Sequence, residues 1–474
     1  MRDERQRRSA RSLERPSRLR PAWRRRLLRL AMVVGLCGLS AVILGRRFDT
    51  IPGGDRSDCA ATFRTAPADL AVRTCQREYE HSKDPRTGAR LAHVLKKAGD
   101  VENARRMATS LLATVARADA LYVLGYIAYD EDKYEAAIAY LEEARILHRI
   151  LRERLGLARD DTVLASVWTD RSEYLKALLL LDECIENTQD RDRSQEWHCH
   201  TNAARTLVSL GYFTAAKEEL DSAHALATSE EDRKYVEYQR GNLAQESGNT
   251  ESAIESFRAV LRPGEHPVNA NTALLTEQNL AYALAETGNL ANLDEAQLHL
   301  DNATRLDRGH DQTAERTWTA AQIAYKRGEL ARATSLTKRY FDVIDVSDDV
   351  DRDDRIDVAS LQARIELQRN DLQGAESTAQ RAVDEAELVR RKQSVLALRA
   401  PVLSKRRAPY ELRFIALARQ GQVEKAALAF DQWQGRSVQD ALAKKPEREP
   451  SHHSDIAEQI TRLGPWIGAL TTRT

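Results

Sequence analysis

The sequence predicts an all-α protein, a solenoid of antiparallel helix pairs preceded by a single transmembrane helix. A pattern of small apolar residues recurs at intervals of 33 to 42 residues along most of the chain. No proline occurs between Arg86 and Arg262, so nothing interrupts helix formation there. No run of alternating β-branched residues indicates a sheet. Residues 30–45 form an uncharged segment that suits a membrane span.

The first 47 residues indicate a membrane anchor. Residues 1–29 contain twelve arginines against three acidic residues, a net charge of +9. Residues 30–45 (LAMVVGLCGLSAVILG) would span about 24 Å as a helix, against a hydrocarbon core of about 30 Å, and Arg46 and Arg47 follow. No clear A-x-A cleavage site follows, which favours an uncleaved signal anchor. The arginine excess predicts a cytoplasmic N-terminus, an inner-membrane span and a periplasmic body.

The rest of the chain carries a net charge of −9, because the whole chain is neutral. An acidic body argues against nucleic-acid binding.

The predicted organisation is an Arg-rich cytoplasmic tail (1–29), a transmembrane signal anchor (30–45), a linker with a short helical cap (46–84), a solenoid of about nine repeats (85–443) and a C-terminal tail (444–474).

The five cysteines offer a hint about the compartment. Cys37 lies in the predicted span, and the other four form two local pairs, Cys59 with Cys75 and Cys184 with Cys199. In an oxidising compartment each pair could close a loop of about 15 residues. Alternatively, all four are small buried residues of helices.

The repeat is clearest over residues 119–145, which predict two helices with a break at 131–133. Gly125 in the first helix and Ala137 in the second are small where the helices would cross. The same pair recurs in seven further units, once with three residues inserted, and a ninth unit keeps only the second alanine: Ala92/Ala104, Ala165/Ala177, Ala204/Ala216, Gly241/Ala253, Ala281/Ala296, Ala321/Ala333, Ala363/Ala375 and Phe414/Ala426. Glycines recur at the intervening turns, where a left-handed residue ends a helix: Gly99, Gly211, Gly248, Gly288, Gly328 and Gly421. This period indicates an α-solenoid.

These units resemble the tetratricopeptide repeat. The template unit carries the residues that define the family pattern: Leu124-Gly125, Tyr134, Ala137, Leu141 and Ala144. The resemblance implies a right-handed α-solenoid that binds a protein or peptide in its concave groove. The last unit, 410–443, also resembles the repeats that precede the CHAT domain, a caspase-like protease module of bacterial proteins. The matching segments are Gly435-Arg436-Ser437 and Asp440-Ala441-Leu442, and no CHAT domain follows them.

The resemblance implies which side chains face the groove, since the second, fifth, ninth and twelfth positions of each first helix line it. Aromatic residues at these positions are Tyr122, Tyr126, Tyr129, Tyr235, Tyr238, Tyr282, Trp318 and Tyr325. Arg205, Asn242 and Gln322 could hydrogen-bond a peptide backbone. Alternatively, the aromatic residues only pack between adjacent first helices.

Catalytic and metal-binding signals are weak. No Gly-rich phosphate loop, H-E-x-x-H or G-x-S-x-G motif occurs, so we predict neither enzymatic activity nor a cofactor. His198 and His200 would point apart on a helix and could not share a metal ion. Residues 349–357 partly follow a calcium loop but have Asp354 where glycine is needed and Ser360 where the closing glutamate is needed. We therefore predict an acidic loop between repeats and no metal site.

The predicted function is that of a membrane-anchored scaffold or adaptor that binds a protein or peptide through its groove. The alternative is the sensor part of a CHAT-type protease system whose catalytic domain is encoded separately.

Overall fold

The computed structural model describes residues 58–65, 67–264, 268–307, 313–344, 352–395 and 398–434. These residues form 21 helices and no strand: α1 Cys59–Thr65, α2 Ala68–Ser82, α3 Pro85–Lys97, α4 Val101–Ser110, α5 Arg117–Asp130, α6 Tyr134–Leu151, α7 Arg154–Asp170, α8 Tyr174–Thr188, α9 Arg193–Leu210, α10 Phe213–Leu226, α11 Glu230–Glu246, α12 Thr250–Leu261, α13 Ala270–Glu286, α14 Leu290–Leu306, α15 Thr313–Lys326, α16 Leu330–Ile344, α17 Arg352–Gln368, α18 Leu372–Lys392, α19 Arg399–Lys405, α20 Ala408–Arg419 and α21 Val423–Gln434.

The described helices pair into nine hairpins, and each hairpin coincides with one predicted unit. They are α3/α4, α5/α6, α7/α8, α9/α10, α11/α12, α13/α14, α15/α16, α17/α18 and α20/α21. The short helix α19 lies between the last two hairpins and accounts for the longer interval there. The predicted all-α repeat fold is therefore confirmed.

The small residues permit close approach within each hairpin. A Cβ atom added to Gly125 would lie 2.6 Å from Cγ of Leu141, and one added to Gly241 would lie 2.4 Å from Cε1 of Phe257. Both distances are shorter than real Cβ contacts, so only glycine fits without a shift. In the other units the equivalent alanines are buried, as Ala165 and Ala177 are.

Each hairpin turn contains one residue in the left-handed region. The six glycines predicted for this role have φ angles between 68° and 90°. Asp132, Ser172 and Asn370 occupy the same place in the other three turns, with φ angles between 56° and 60°. The turn geometry is therefore common to all nine described hairpins, although only six use the residue that favours it.

A long-range contact closes the row of hairpins on itself. Nζ of Lys392 donates to the carbonyl of Arg171 at 2.6 Å, and Nε2 of Gln393 donates to the carbonyl of Ser172 at 2.7 Å. One hydrophobic cluster joins these distant segments, with buried members from α8–α10 and from residues 383–410. This closure brings the connection between α18 and α20 against the middle of the solenoid.

The predicted inner-membrane localisation was wrong for the part of the chain that the structure describes. None of its helices is both long and apolar enough to cross a bilayer. The longest of them, α18, has 21 residues and carries three basic residues in its last turn. The predicted tail (1–29), anchor (30–45) and C-terminal tail (444–474) lie outside the described residues, as does the predicted end of the repeats at residue 443.

Candidate binding groove

The first helices of eight of the nine described hairpins line one large groove. Its volume is about 1620 Å³, and the lining runs from Phe63 in α1 through α3, α5, α7, α9, α11, α13, α15 and α17 to Lys405 and Arg406. Tyr174, the first residue of α8, is the one side chain that a second helix contributes to this described lining. Eight hairpins therefore present one face of their first helix to a shared space, whereas α20, the first helix of the ninth, contributes no residue to it.

Nine of the eleven predicted groove residues line this space: Tyr122, Tyr126, Tyr129, Arg205, Tyr235, Tyr238, Asn242, Tyr282 and Trp318. Gln322 and Tyr325 do not. The side-chain amide of Gln322 donates to Glu286, and Tyr325 packs against the cluster between α15 and α17. These two residues lie beyond Trp318, where α15 packs against its neighbours instead of facing the groove.

Many of the aromatic rings pack against the neighbouring first helix as well as facing the groove. Tyr122 on α5 stacks on His93 of α3, with ring centroids 5.7 Å apart, and is only 5% exposed. Tyr282 on α13 and Trp318 on α15 approach to 4.8 Å in the same way. These rings therefore pack between first helices, as the alternative to a binding role predicted. They also line the groove.

Tyr129 and Arg205 share one carboxylate. The hydroxyl of Tyr129 donates to Oδ2 of Asp170 at 2.8 Å, and Nη1 of Arg205 donates to Oδ1 at 3.0 Å. Burial and the adjacent Asp170 charge raise the pKa of Tyr129, so its hydroxyl stays protonated. The Arg205 guanidinium is therefore already paired across α7 and α9.

Amide side chains form a second feature of the groove wall. Nδ2 of Asn279 on α13 donates to Oδ1 of Asn242 on α11 at 2.8 Å, and Nδ2 of Asn242 donates to Oε1 of Gln239 at 3.2 Å. The buried oxygens Oε1 of Gln245 and Oε1 of Gln278 have no hydrogen-bond partner among the described residues. Both side chains line the groove, where a ligand or water can satisfy them.

The sequence analysis found only Asn242 of this set, although the sequence contains a signal for Gln239 and Asn279. Asn202, Gln239 and Asn279 each lie two positions before the small residue of their first helix, Ala204, Gly241 and Ala281 respectively. All three line the groove. An amide at this repeated position could have been noticed in the sequence alone.

The C-terminal end of the groove is acidic. Nζ of Lys405 lies 2.9 Å from Glu246 and 3.3 Å from Asp353. Burial raises the pKa of Glu315, and its Oε2 has no hydrogen-bond partner among the described residues. The described lining as a whole contains ten Asp and Glu residues against five Lys and Arg.

The acidic stretch predicted as a loop contributes to this end, and the loop prediction was wrong for its described part. Helix α17 begins at Arg352, so Asp353, Asp354 and Asp357 are helical and line the groove. Two acidic residues in the first turn suit the positive end of the helix dipole, which explains why the acids start a helix here.

The structure joins both predicted cysteine pairs. Cys59 in α1 lies 2.10 Å from Cys75 in α2 between the sulfur atoms, and Cys184 in α8 lies 2.06 Å from Cys199 in α9. The first pair links the two helices within the predicted cap, 46–84. The second pair fastens one hairpin to the next.

The sequence model of the tetratricopeptide repeat matches residues 118–144, the hairpin α5/α6. Residues 118–144 form a tetratricopeptide repeat. No curated protein matches the chain. The predicted link to CHAT-type proteases has no support in these comparisons.

Solved structures share this tetratricopeptide-type fold at low identity. A Rap protein complexed with Competence and Sporulation Factor is 14% identical, with a TM-score of 0.57, over 71% of this chain and 97% of that one. The Rap conjugation gene regulator of the plasmid pLS20, in complex with the Phr* peptide, is 12% identical, with a TM-score of 0.51, over 69% of this chain and 96% of that one. At this identity the likeness shows the fold alone.

Proposed function

We propose that this chain is a binding protein whose groove holds an extended, positively charged peptide segment. The observation that carries the proposal is the row of amide side chains at one repeated position of consecutive first helices, Asn202, Gln239 and Asn279. An extended backbone offers alternating donors and acceptors, and amide side chains can pair with both.

The charge of the groove supports a cationic ligand. Acidic residues outnumber basic ones two to one in the described lining. The unpartnered Oε2 of Glu315 lies in the same wall as the Tyr282–Trp318 ring pair. A carboxylate beside aromatic faces suits a Lys or Arg side chain, through an ion pair and a cation–π contact.

The fold likeness is consistent with this role. The pLS20 regulator has this fold in complex with the Phr* peptide. We transfer from it only the general idea of a peptide held by a helical repeat, because the identity is too low to transfer residues. The alternative role, as sensor of a CHAT-type protease, has no observation in its favour.

A random peptide library displayed on phage tests the proposal. We expect the purified chain to enrich peptides that contain Lys or Arg. The double variant Asn242→Ala, Asn279→Ala should bind them at least about tenfold more weakly, since two hydrogen bonds contribute about 1 kcal/mol each. Gln297→Ala is the matched control, because that amide lies on α14 and bonds to Asp301 outside the described groove lining.

Two results would contradict the proposal. One is a selection that enriches no sequence above background. The other is equal binding by the double variant and by the Gln297→Ala control, which would place any captured peptide outside the groove.

A further inference from the structure

A separate cluster of polar groups lies where α5, α6 and α7 meet. His148, in the last turn of α6, is completely buried, and its Nδ1 lies 2.6 Å from Oδ2 of Asp160, which is also completely buried. A carboxylate can only accept, so Nδ1 carries the proton of this contact. Burial acts to lower the pKa of His148, but Asp119 and Asp160 outweigh it and raise the pKa to about 9. A metal ion would therefore displace the proton of Nε2 and bind the lone pair there, on the opposite side of the ring from Asp160.

Nε2 of His148 faces two further carboxylates at ion-pair distance. It lies 3.8 Å from Oδ1 of Asp119 and 3.8 Å from Oε2 of Glu153, and it has no hydrogen-bond partner among the described residues. A hydrogen bond between these atoms would measure about 2.7–3.2 Å. The gap is too long for a direct bond and leaves room for an ion between the three groups.

We propose that Asp119, His148 and Glu153 bind a zinc ion. One ligand atom from each residue lies within 4.8 Å of the other two. Zinc bonds nitrogen and oxygen at about 2.0–2.2 Å, so ligand atoms around a tetrahedral ion are about 3.3–3.6 Å apart. The two 3.8 Å distances from His148 close to that range with shifts of a few tenths of an ångström, and the third pair, Asp119 with Glu153, needs a larger movement of the Glu153 side chain.

The composition of the cluster favours zinc over harder ions. Calcium and magnesium prefer all-oxygen sets, whereas zinc accepts both imidazole and carboxylate ligands, and three of them leave one coordination position for water. Asp160 supplies the carboxylate that commonly holds the far nitrogen of a zinc-bound imidazole and fixes its orientation. Glu153 lies before α7 with a side chain 39% exposed, so it is free to move onto the ion.

Charge and space agree with the proposal. Nη2 of Arg159 lies 2.7 Å from Oδ1 of Asp119, so the three carboxylates of Asp119, Glu153 and Asp160 balance one divalent ion and one guanidinium. A Cβ atom at Gly156 would lie 2.4 Å from Cδ2 of His148, so glycine at this position makes room for the ring. The ion would tie the first turn of α5 to the end of α6 and the start of α7.

The test is zinc binding by the full chain, without an affinity tag, after chelator treatment. Calorimetric titration should show one site, and cobalt in place of zinc should give the intense visible absorption of a four-coordinate ion. Glu153→Gln should weaken zinc binding at least about tenfold while leaving a partly exposed position folded. His148→Ala should abolish binding.

His200→Ala is the matched control. Nδ1 of His200 lies 2.6 Å from Glu219, a similar pair to that of His148 with Asp160, but His200 belongs to no three-residue cluster of ligand atoms among the described residues. This variant should bind zinc as the unmodified chain does. Absence of zinc binding by the unmodified chain, or unchanged binding in both Glu153→Gln and His148→Ala, would overturn the proposal. If His148→Ala does not fold, Glu153→Gln alone decides. None of these results depends on the peptide proposal.

Discussion

Nη2 of Arg406 donates a hydrogen bond to the hydroxyl of Tyr174 at 2.9 Å, although the two residues are 232 positions apart. The same guanidinium bonds to both carboxylate oxygens of Asp353 at 2.6 Å and to the carbonyl of Ser209 at 3.2 Å. One side chain thus joins the end of α19 to α8, α9 and α17. This contact is part of the closure that holds the α19 segment against the middle of the solenoid.

Replacing Arg406 with alanine should open this closure. The guanidinium is 3% exposed and the Asp353 carboxylate 20% exposed, so the variant removes two hydrogen bonds from a largely buried carboxylate and leaves Lys405, at 3.3 Å, to balance its charge. We expect the free energy of unfolding to fall by about 3 kcal/mol in urea titrations. Arg407→Ala is the control, because the Arg407 side chain is 64% exposed and pairs only with Glu411 among the described residues, and it should cost less than about 0.5 kcal/mol. Equal losses in the two variants would show that Arg406 does not hold the closure.

Substitutions at Gly248 test whether the turn between α11 and α12 needs a residue that tolerates the left-handed backbone conformation. Gly248 has a φ angle of 81°, and a Cβ atom there would meet no atom within 4 Å. Any loss of stability on substitution therefore results from the backbone conformation alone. Gly248→Ala should lower the free energy of unfolding by about 1–2 kcal/mol. Gly248→Asn should cost less, because asparagine tolerates this region, as Asn370 does in the turn between α17 and α18. Thermal denaturation of both variants measures the difference, and a loss as large with asparagine as with alanine would refute this explanation.

Asp232 makes the start of α11 sensitive to acid. Its carboxylate accepts from the N–H groups of Thr228 and Ser229, each at 3.0 Å, in a capping box. Burial acts to raise the pKa of Asp232, but these N–H groups outweigh it and hold the pKa below its ordinary value. The contribution to stability is therefore complete above the unfolded pKa of about 3.9 and is lost as the pH falls through the folded pKa.

We expect Asp232→Ala to lower the free energy of unfolding by about 1 kcal/mol at neutral pH. In urea titrations below the unfolded pKa, the difference from the unmodified chain should shrink towards zero. Glu251→Ala is the control, since Glu251 lies in the first turn of α12, where Asn249 supplies the cap. A difference for Asp232→Ala that does not change with pH would contradict the assigned role.

The two disulfides determine how many cysteine thiols remain free to react. A chain refolded in a glutathione redox buffer and then denatured without reductant should show one reactive thiol, that of Cys37. Each loop of about 15 residues should contribute about 3 kcal/mol through the entropy of the unfolded chain. Colorimetric thiol titration gives the count, with the reduced chain as the control at five thiols. Five reactive thiols in the oxidised sample would mean that neither pair forms.

The sequence predicted most of the described groove lining but not all of it. Tyr122, Tyr235 and Trp318 were placed correctly in the lining, because helical periodicity assigns a face to each residue of a regular helix. Gln322 does not line the groove, because which turn of α15 faces the groove depends on how that helix packs against its neighbours. His148 was not noticed at all, because its partners lie on three different elements with no regular spacing.

The sequence by itself determined the hairpins of this protein. Each hairpin depends on contacts within about forty residues of sequence. The residues that make these contacts, such as Gly125, Ala137 and the turn glycine Gly248, therefore recur at regular intervals and can be recognised in the sequence. Only the tertiary structure decided the closure at Arg406 and the cluster of polar groups around His148. The first joins residues 232 positions apart, and the second joins side chains of three neighbouring elements at irregular spacings, so neither leaves a periodic trace in the sequence.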